Sequence, residues 1–210
     1  MEKRFKRIND RIKKVMKLYN KDYKNIFVTS DTHFSHFNII KYCNRPFNNI
    51  QEMNEMLIKN WNDAVSNDDL IFHLGDFQML KDYDQLYSII SRLNGDKVLL
   101  LGNHDYLNNE DYLKAGFIDV KQRWEGIINN NRFVMSHYQM MTWNWSHKGS
   151  INLYGHEHDR QQKIPNHEIY NKLHISEKKF NVCIDANNYK PVNINKIISL
   201  MNNRDINNNF

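Results

Sequence analysis

Lys97-Val98-Leu99-Leu100-Leu101-Gly102-Asn103-His104-Asp105 is the stretch on which the reading of the fold turns. After its first residue the run is apolar without alternation, the pattern of a strand buried on both faces. It stops at Gly102, and an amide, an imidazole and a carboxylate follow at once. Leu70-Ile71-Phe72-His73-Leu74 behaves in the same way and ends in Gly75-Asp76. Asn25-Ile26-Phe27-Val28-Thr29 turns polar at Ser30-Asp31-Thr32-His33. Between these runs the period becomes helical. Ile50, Met53, Leu57, Trp61 and Ala64 form one stripe, and Asn49 with Glu52 has the spacing of a capping box. Residues 82–93 repeat the helical pattern before the turn Asn94-Gly95-Asp96. Strands alternating with helices predict an α/β fold.

Beyond Gly116 the texture changes. Short strand-like runs occur at Phe117–Trp124, Arg132–Met135, Asn152–Tyr154 and Phe180–Ile184, with few helical patterns between them. They predict a second, more antiparallel sheet. A last helix is expected from about Ile194 to Met201, capped by Asn193 after Pro191, and the Asn-rich tail 202–210 is expected to fray. Ile8, Ile12, Val15 and Tyr19 recur at helical spacing and predict an amphipathic helix over residues 3–20. The expected organisation is a basic helix in 1–24, a main domain over 25–201, and the tail.

Charge is placed unevenly. Residues 1–24 hold ten basic and three acidic groups, whereas the remainder holds 19 basic and 21 acidic ones. The basic character therefore describes an arm. That arm suits a solvated helix face, a nucleic-acid contact, an anionic surface or pairing across a dimer. The body alone makes no electrostatic case for nucleic acid. No apolar run is long enough to span a membrane, and the start, MEKRFKRINDRIKK, lacks the apolar segment of a secretory signal. Cys43 and Cys183 lack CxxC spacing and point to a reducing, cytoplasmic setting.

The chemistry collects where strands end. Besides Asp31/His33, Asp76 and Asn103/His104/Asp105, the run Phe133-Val134-Met135 ends in Ser136-His137, and Asn152-Leu153-Tyr154 ends in Gly155-His156-Glu157-His158. In open α/β sheets, ligands bind outside the carboxyl ends of strands. In Asp31-x-His33 and His156-x-His158 the side chains are two residues apart, which on an extended segment points both the same way. A donor set of carboxylates, imidazoles and one amide, without thiolates, suits Mn, Fe, Zn, Co or Ni better than Ca or Mg alone.

The ordered series Asp31-Thr32-His33, Gly75-Asp76, Gly102-Asn103-His104-Asp105, Ser136-His137 and Gly155-His156-Glu157-His158 resembles the calcineurin-like metallophosphoesterase superfamily. The flanking text of residues 31–47 and 181–194 is similar to a compact group of these enzymes common in bacteria and phages. The resemblance implies a four-layer α/β/β/α sandwich with two mixed sheets and a binuclear metal site at the sheet edge. It implies that Asp31, His33 and His158 bind one metal, that Asn103, His137 and His156 bind the other, and that Asp76 bridges the two. Mn²⁺ is the first expectation among Mn, Fe, Zn, Ni, Co and Mg.

Such a site implies a hydrolase in which a metal-bridging hydroxide attacks phosphorus in line. His104 is the candidate proton donor to the leaving group, with Asp105 orienting its ring. His36, Arg45, Trp143 and His147 are candidate substrate contacts: Arg45 for its bidentate geometry toward phosphate, Trp143 for stacking on a base or sugar. His73 is expected to be a satisfied core histidine. The expected substrates are nucleotides or small phosphoesters, cleaved by a phosphodiesterase or phosphatase. The alternatives are a nuclease using the same centre and a metal-poor interaction scaffold.

Overall fold

The structure, a computed structural model, describes residues 23–159 and 178–202. The expected helix over 3–20 and all of the expected tail except Asn202 lie outside the described residues. The predicted alternation holds through the first half. Strand β1 (Ile26–Thr29) is followed by helices α1 (Phe37–Tyr42) and α2 (Ile50–Ala64), then β2 (Leu70–His73), α3 (Tyr83–Ile90), β3 (Asp96–Leu100), α4 (Asn109–Ala115) and β4 (Phe117–Lys121). The expected box at α2 forms on its first side, since Asn49 Oδ1 accepts from Glu52 N at 2.9 Å. The Glu52 carboxylate returns to the N–H of Asn48 at 2.8 Å, one residue earlier than the motif prescribes.

β4-β3-β2-β1 pair in parallel, and the two-residue strand β9 (Val192–Asn193) runs antiparallel to β1 at the other edge. The second sheet is β5-β6-β7-β8, made of Arg123–Ile128, Asn131–Ser136, Ile151–Tyr154 and Lys179–Asn181. Only β5 and β6 are antiparallel; β7 and β8 join in parallel. The second sheet is therefore mixed, as the resemblance implies, with one antiparallel pair among its three. The single run expected over Phe117–Trp124 is corrected. It breaks at Gln122, with β4 completing the first sheet and β5 opening the second. Local sequence does not mark the crossing, because Gln122 sits between two strand-like stretches with no glycine or proline to signal a break.

Alternation along the first sheet splits the core in two. Phe27, Ile71 and Leu99 face α2, α3 and α4, packing with Met53, Leu57, Trp61, Leu86, Ile89 and Tyr112. Val28, Leu70, Phe72, Val98 and Leu100 face the second sheet, meeting Phe133, Met135, Ile151 and Leu153. Helix α5 (Ile194–Asn202) adds Ile194, Ile197 and Met201 to this second cluster, and Asn195 N donates to Asn193 Oδ1 at 2.9 Å, as the expected cap requires. Each large side chain removed from water contributes on the order of 1.5–3 kcal/mol. The result is an α/β fold of two mixed sheets with five helices among the described residues. None of the described helices is long and apolar enough to cross a membrane.

His73 lies in the first core at full burial, its ring stacked 6.3 Å from that of Trp61. Nε2 is 3.0 Å from Thr32 Oγ1, which itself donates to the Phe77 carbonyl at 2.8 Å. Nδ1 has no hydrogen-bond partner, so this core histidine is half satisfied. Burial, reinforced by nearby His137, pushes its pKa down to about 3. The native ring stays neutral while the unfolded ring takes a proton below about pH 6.5, so the unfolded state binds more protons. Stability should fall as pH drops from 6.5 toward 3, at up to about 1.4 kcal/mol per pH unit from this group. Urea unfolding of metal-free protein at pH 7, 6 and 5 is expected to show a flatter pH slope in His73→Leu than in wild type. Equal slopes would contradict the assignment.

Candidate metal centre

The strand ends do not deliver their side chains by extended alternation. Asp31, His33, Asp76, His156 and His158 all adopt left-handed backbone, with φ between 48° and 67°. Outside glycine this region costs roughly 1–2 kcal/mol per residue, and such outliers cluster where geometry matters more than stability. Five left-handed residues among seven predicted metal ligands is therefore a local cost met by the rest of the fold. The spacing argument for Asp31-x-His33 and His156-x-His158 is corrected: the pairs converge through paired left-handed turns. Backbone bonds hold the turns together, Asp31 N to Gly75 O at 2.9 Å, His33 N to Asp76 O at 3.0 Å and Gly155 N to His137 O at 2.9 Å. Gly102 permits the closest approach, since a Cβ there would lie 2.6 Å from Asp76 N and 2.9 Å from a ring carbon of His137.

The seven side chains meet around Asp76. Its Oδ2 lies 3.5 Å from Nε2 of His33 and 3.5 Å from Nε2 of His137. On one side, Nε2 of His33 and Nε2 of His158 are 4.0 and 3.9 Å from Asp31 Oδ1. On the other, Nε2 of His137 is 3.0 Å from Asn103 Oδ1 and 3.2 Å from Nδ1 of His156. Asp31, His33 and Asp76 form one cluster that could close on an ion, Asp76, His137 and His156 another, and Asp76 belongs to both.

The donors are prepared for a cation. His33 is 1% exposed, yet neither ring nitrogen has a hydrogen-bond partner. An unsatisfied buried polar group costs about 1–3 kcal/mol. Burial, with the charges of Arg45 and His158, holds the His33 pKa well below the ordinary histidine range, so its lone pair is available. Burial raises the pKa of Asp31 against the pull of His137 and His158. Backbone donors steady both carboxylates: His156 N reaches Asp31 Oδ2 at 2.9 Å, and His104 N reaches Asp76 Oδ1 at 2.8 Å. His137 Nδ1 faces the Leu74 carbonyl at 2.8 Å, which leaves Nε2 for the cluster.

The outer candidates fare differently. His104 is half-buried with its ring 5.4 Å from that of His33, and His36 sits 5.4 Å from His33 and 6.4 Å from His104. Asp105 does not orient the His104 ring. Its carboxylate instead accepts the N–H groups of Asp76, Phe77 and Gly102 at 2.8, 3.0 and 2.7 Å, bracing the turns after β2 and β3. The ring's partner is Tyr106, whose hydroxyl is 2.8 Å from Nδ1. Arg45 is not open to a phosphate: it is buried, with its guanidinium paired bidentately to Asp185 at 2.8 and 2.9 Å. Trp143 is also buried, its Nε1–H donating to the Ser150 carbonyl at 3.1 Å, so packing under the loop takes the place of stacking. His147 is exposed on the 3-10 turn Ser146–Lys148.

Asp185 escaped the sequence reading. It stands just past the apolar run Phe180–Ile184, a sixth strand end obeying the rule of the other five. Its Oδ2 lies 2.6 Å from Nδ1 of His158. Burial opposes charge on both partners, but their mutual bond outweighs it. Asp185, bonded to His158 and flanked by Arg45, is pushed down to about 2. His158, bonded to Asp185 and Cys43 with Asp31 nearby, is pushed up to about 10.

Asp105→Asn should test the bracing role. The amide would face at least one backbone N–H with another donor, and a loss of about 1–3 kcal/mol is expected in urea unfolding of the metal-free protein. A change below about 0.5 kcal/mol, the range of an ordinary surface substitution, would show that the carboxylate braces nothing.

The chain is similar to several known proteins. A protein of Methanocaldococcus jannaschii, MJ1445, is 36% identical over 180 residues, spanning 85% of this chain and 92% of that protein. The gene 66 protein of Mycobacterium phage L5 is 34% identical over 83 residues, 39% of this chain and 40% of its own length. Among solved structures, AQ665 of Aquifex aeolicus superposes with a TM-score of 0.63 at 24% identity, covering 84% of this chain and 98% of that one, which is a likeness of fold. The family described as calcineurin-like phosphoesterase matches residues 24–207, nearly the whole chain, and the chain belongs to it.

Proposed function

We propose that the chain is a phosphoester hydrolase that works with two divalent cations, Mn²⁺ first among them, on nucleotides or other small phosphoesters. The observation that carries this reading is the position of Asp76, one carboxylate oxygen equidistant from imidazole nitrogens of two separate donor groups. Asp31, His33 and His158 would hold one cation, Asn103, His137 and His156 the other, with Asp76 common to both. Cations bound there would supply positive charge to phosphoryl oxygens and lower the pKa of a shared water. The mixture of carboxylate, imidazole and amide favours a borderline metal such as Mn²⁺.

The chain's own residues do the rest. His104, half-buried beside His33, serves the leaving group. Protonated on both ring nitrogens, His104 would donate its Nδ1–H to the Tyr106 hydroxyl oxygen 2.8 Å away and pass its Nε2 proton to a departing oxygen, leaving a neutral ring. His36 at the rim adds a donor for a phosphate oxygen. The buried walls around Asp31, His33 and Asp76 exclude bulk water, which strengthens each electrostatic contact. The two free cysteines suit a cytoplasmic setting.

Metal-stripped protein should be assayed on bis-p-nitrophenyl phosphate and p-nitrophenyl phosphate with and without Mn²⁺. Restored turnover is expected, with Asp76→Asn inactive and His104→Ala reduced in kcat by about 10²–10⁴-fold. Preference for the diester would identify a phosphodiesterase. Turnover that Asp76→Asn leaves intact would refute the proposed centre.

A nuclease reading is favoured by one feature, the ten basic residues in 1–24. If that arm grips nucleic acid, its deletion should remove salt-dependent binding while leaving small-substrate turnover unchanged. Equal binding with and without the arm would remove the support for this reading.

A further inference from the structure

Arg45 spends all five of its N–H donors inside the protein. Nε and Nη2 grip the two oxygens of Asp185 at 2.8 and 2.9 Å. The second hydrogen of Nη2 goes to the Asp31 carbonyl at 2.8 Å, and Nη1 reaches the Thr32 carbonyl at 2.9 Å and Met53 Sδ at 3.5 Å. Both side chains of the ion pair are sealed from solvent, at 0% and 1% exposure. Asp185 in turn holds His158 Nδ1 at 2.6 Å. It sits on the 3-10 turn Ile184–Ala186, which is pinned to the end of β1 by Ile184 N to Ser30 O at 3.2 Å.

These bonds reach only one half of the centre. Arg45 fixes the backbone of Asp31 and Thr32, the turn that presents Asp31 and His33, and through Asp185 it fixes His158. No bond of Arg45 or Asp185 among the described residues goes to Asn103, His137 or His156. That half has its own supports, the Leu74 carbonyl on His137 and the Asp105 brace beneath Asp76 and Gly102.

We infer that the buried Arg45–Asp185 pair is a positioning device for the Asp31/His33/His158 cation position, so that losing the pair weakens that position far more than the other, to which it is tied by the His156 N–H on the Asp31 carboxylate. The inference rests on the two-cation reading above. Physically, Asp185 keeps Nδ1 of His158 occupied, so Nε2 is the atom turned to Asp31 and the cluster. A carboxylate behind a ligating imidazole orients the ring and raises its basicity, and losing such a partner typically weakens metal binding 10–100-fold. Arg45 is required because only a planar guanidinium spans both carboxylate oxygens and two carbonyls at once; an ammonium at the same place offers one nitrogen. The pair joins residues 140 apart in sequence.

The test is Mn²⁺ titration of metal-free full-length protein by calorimetry, with free Mn²⁺ followed by electron paramagnetic resonance. Wild type is expected to bind two ions. Asp185→Asn, nearly isosteric, should weaken one by about 10–100-fold and leave the other within about twofold of wild type, with an unchanged circular dichroism spectrum. Arg45→Lys is the second variant and should show the same split even if Asp185→Asn fails to fold. Equal weakening of both ions, or no weakening of either, would overturn the inference while leaving the two-cation reading in place. Wild type that binds no Mn²⁺ would overturn both.

Discussion

The structure depends on one costly arrangement, the burial of carboxylate and imidazole groups packed against one another. Asp76 Oδ2 faces two imidazole nitrogens at 3.5 Å, His137 Nε2 faces His156 Nδ1 at 3.2 Å, and both nitrogens of His33 lack partners. Nothing in the hydrophobic effect favours this. Left-handed backbone at Asp31, His33, Asp76, His156 and His158 adds to the cost. What holds the donors in place is a frame that leaves them no alternative: two sheets whose facing sides are filled by Val28, Phe72, Val98, Leu100, Phe133, Met135 and Leu153, with the turns emerging from that rigid base.

Around the donors lies a shell of bonds that fixes directions more than it adds stability. Asp105 collects three backbone N–H groups from the turns after β2 and β3, and Asp31 and Asp76 each accept an N–H from a turn carrying another donor. Each turn is therefore held by a side chain of another. The proposed function would depend on this interlock, because a centre holding two cations tolerates little error in donor position.

Much of this was legible in the sequence. The three apolar runs ending in Gly or Ser announced buried strands, and the residues just past them were among those the structure gathers around Asp76. The amphipathic stripe of α2 and the caps at Asn49 and Asn193 were equally readable, since they depend on neighbours in sequence. Helices α1 and α4 were not, because six- and seven-residue helices offer too few repeats for a period to emerge. The break at Gln122 was hidden because no glycine or proline marks where β4 leaves the first sheet and β5 enters the second. Arg45 was assigned to a phosphate and Asp105 to the His104 ring because nothing local tells that a charged side chain will be consumed by backbone groups or by a partner 140 residues away. Trp143 was misplaced for the same reason: an aromatic in a polar loop has no sequence mark of burial. Asp185 was within reach of the strand-end rule and needed only its extension to a sixth strand.

The central claim is that Asp76 is the common ligand of two cations. The most direct measurement is anomalous diffraction from crystals of the full chain soaked in Mn²⁺. Two peaks about 3.5–4 Å apart, flanking Asp76 Oδ2 with His33 and His158 on one side and His137 and His156 on the other, are the expected result. A single peak, or density centred on Cys43, His158 and Asp185 and leaving Asp76 without a metal contact, would contradict the account.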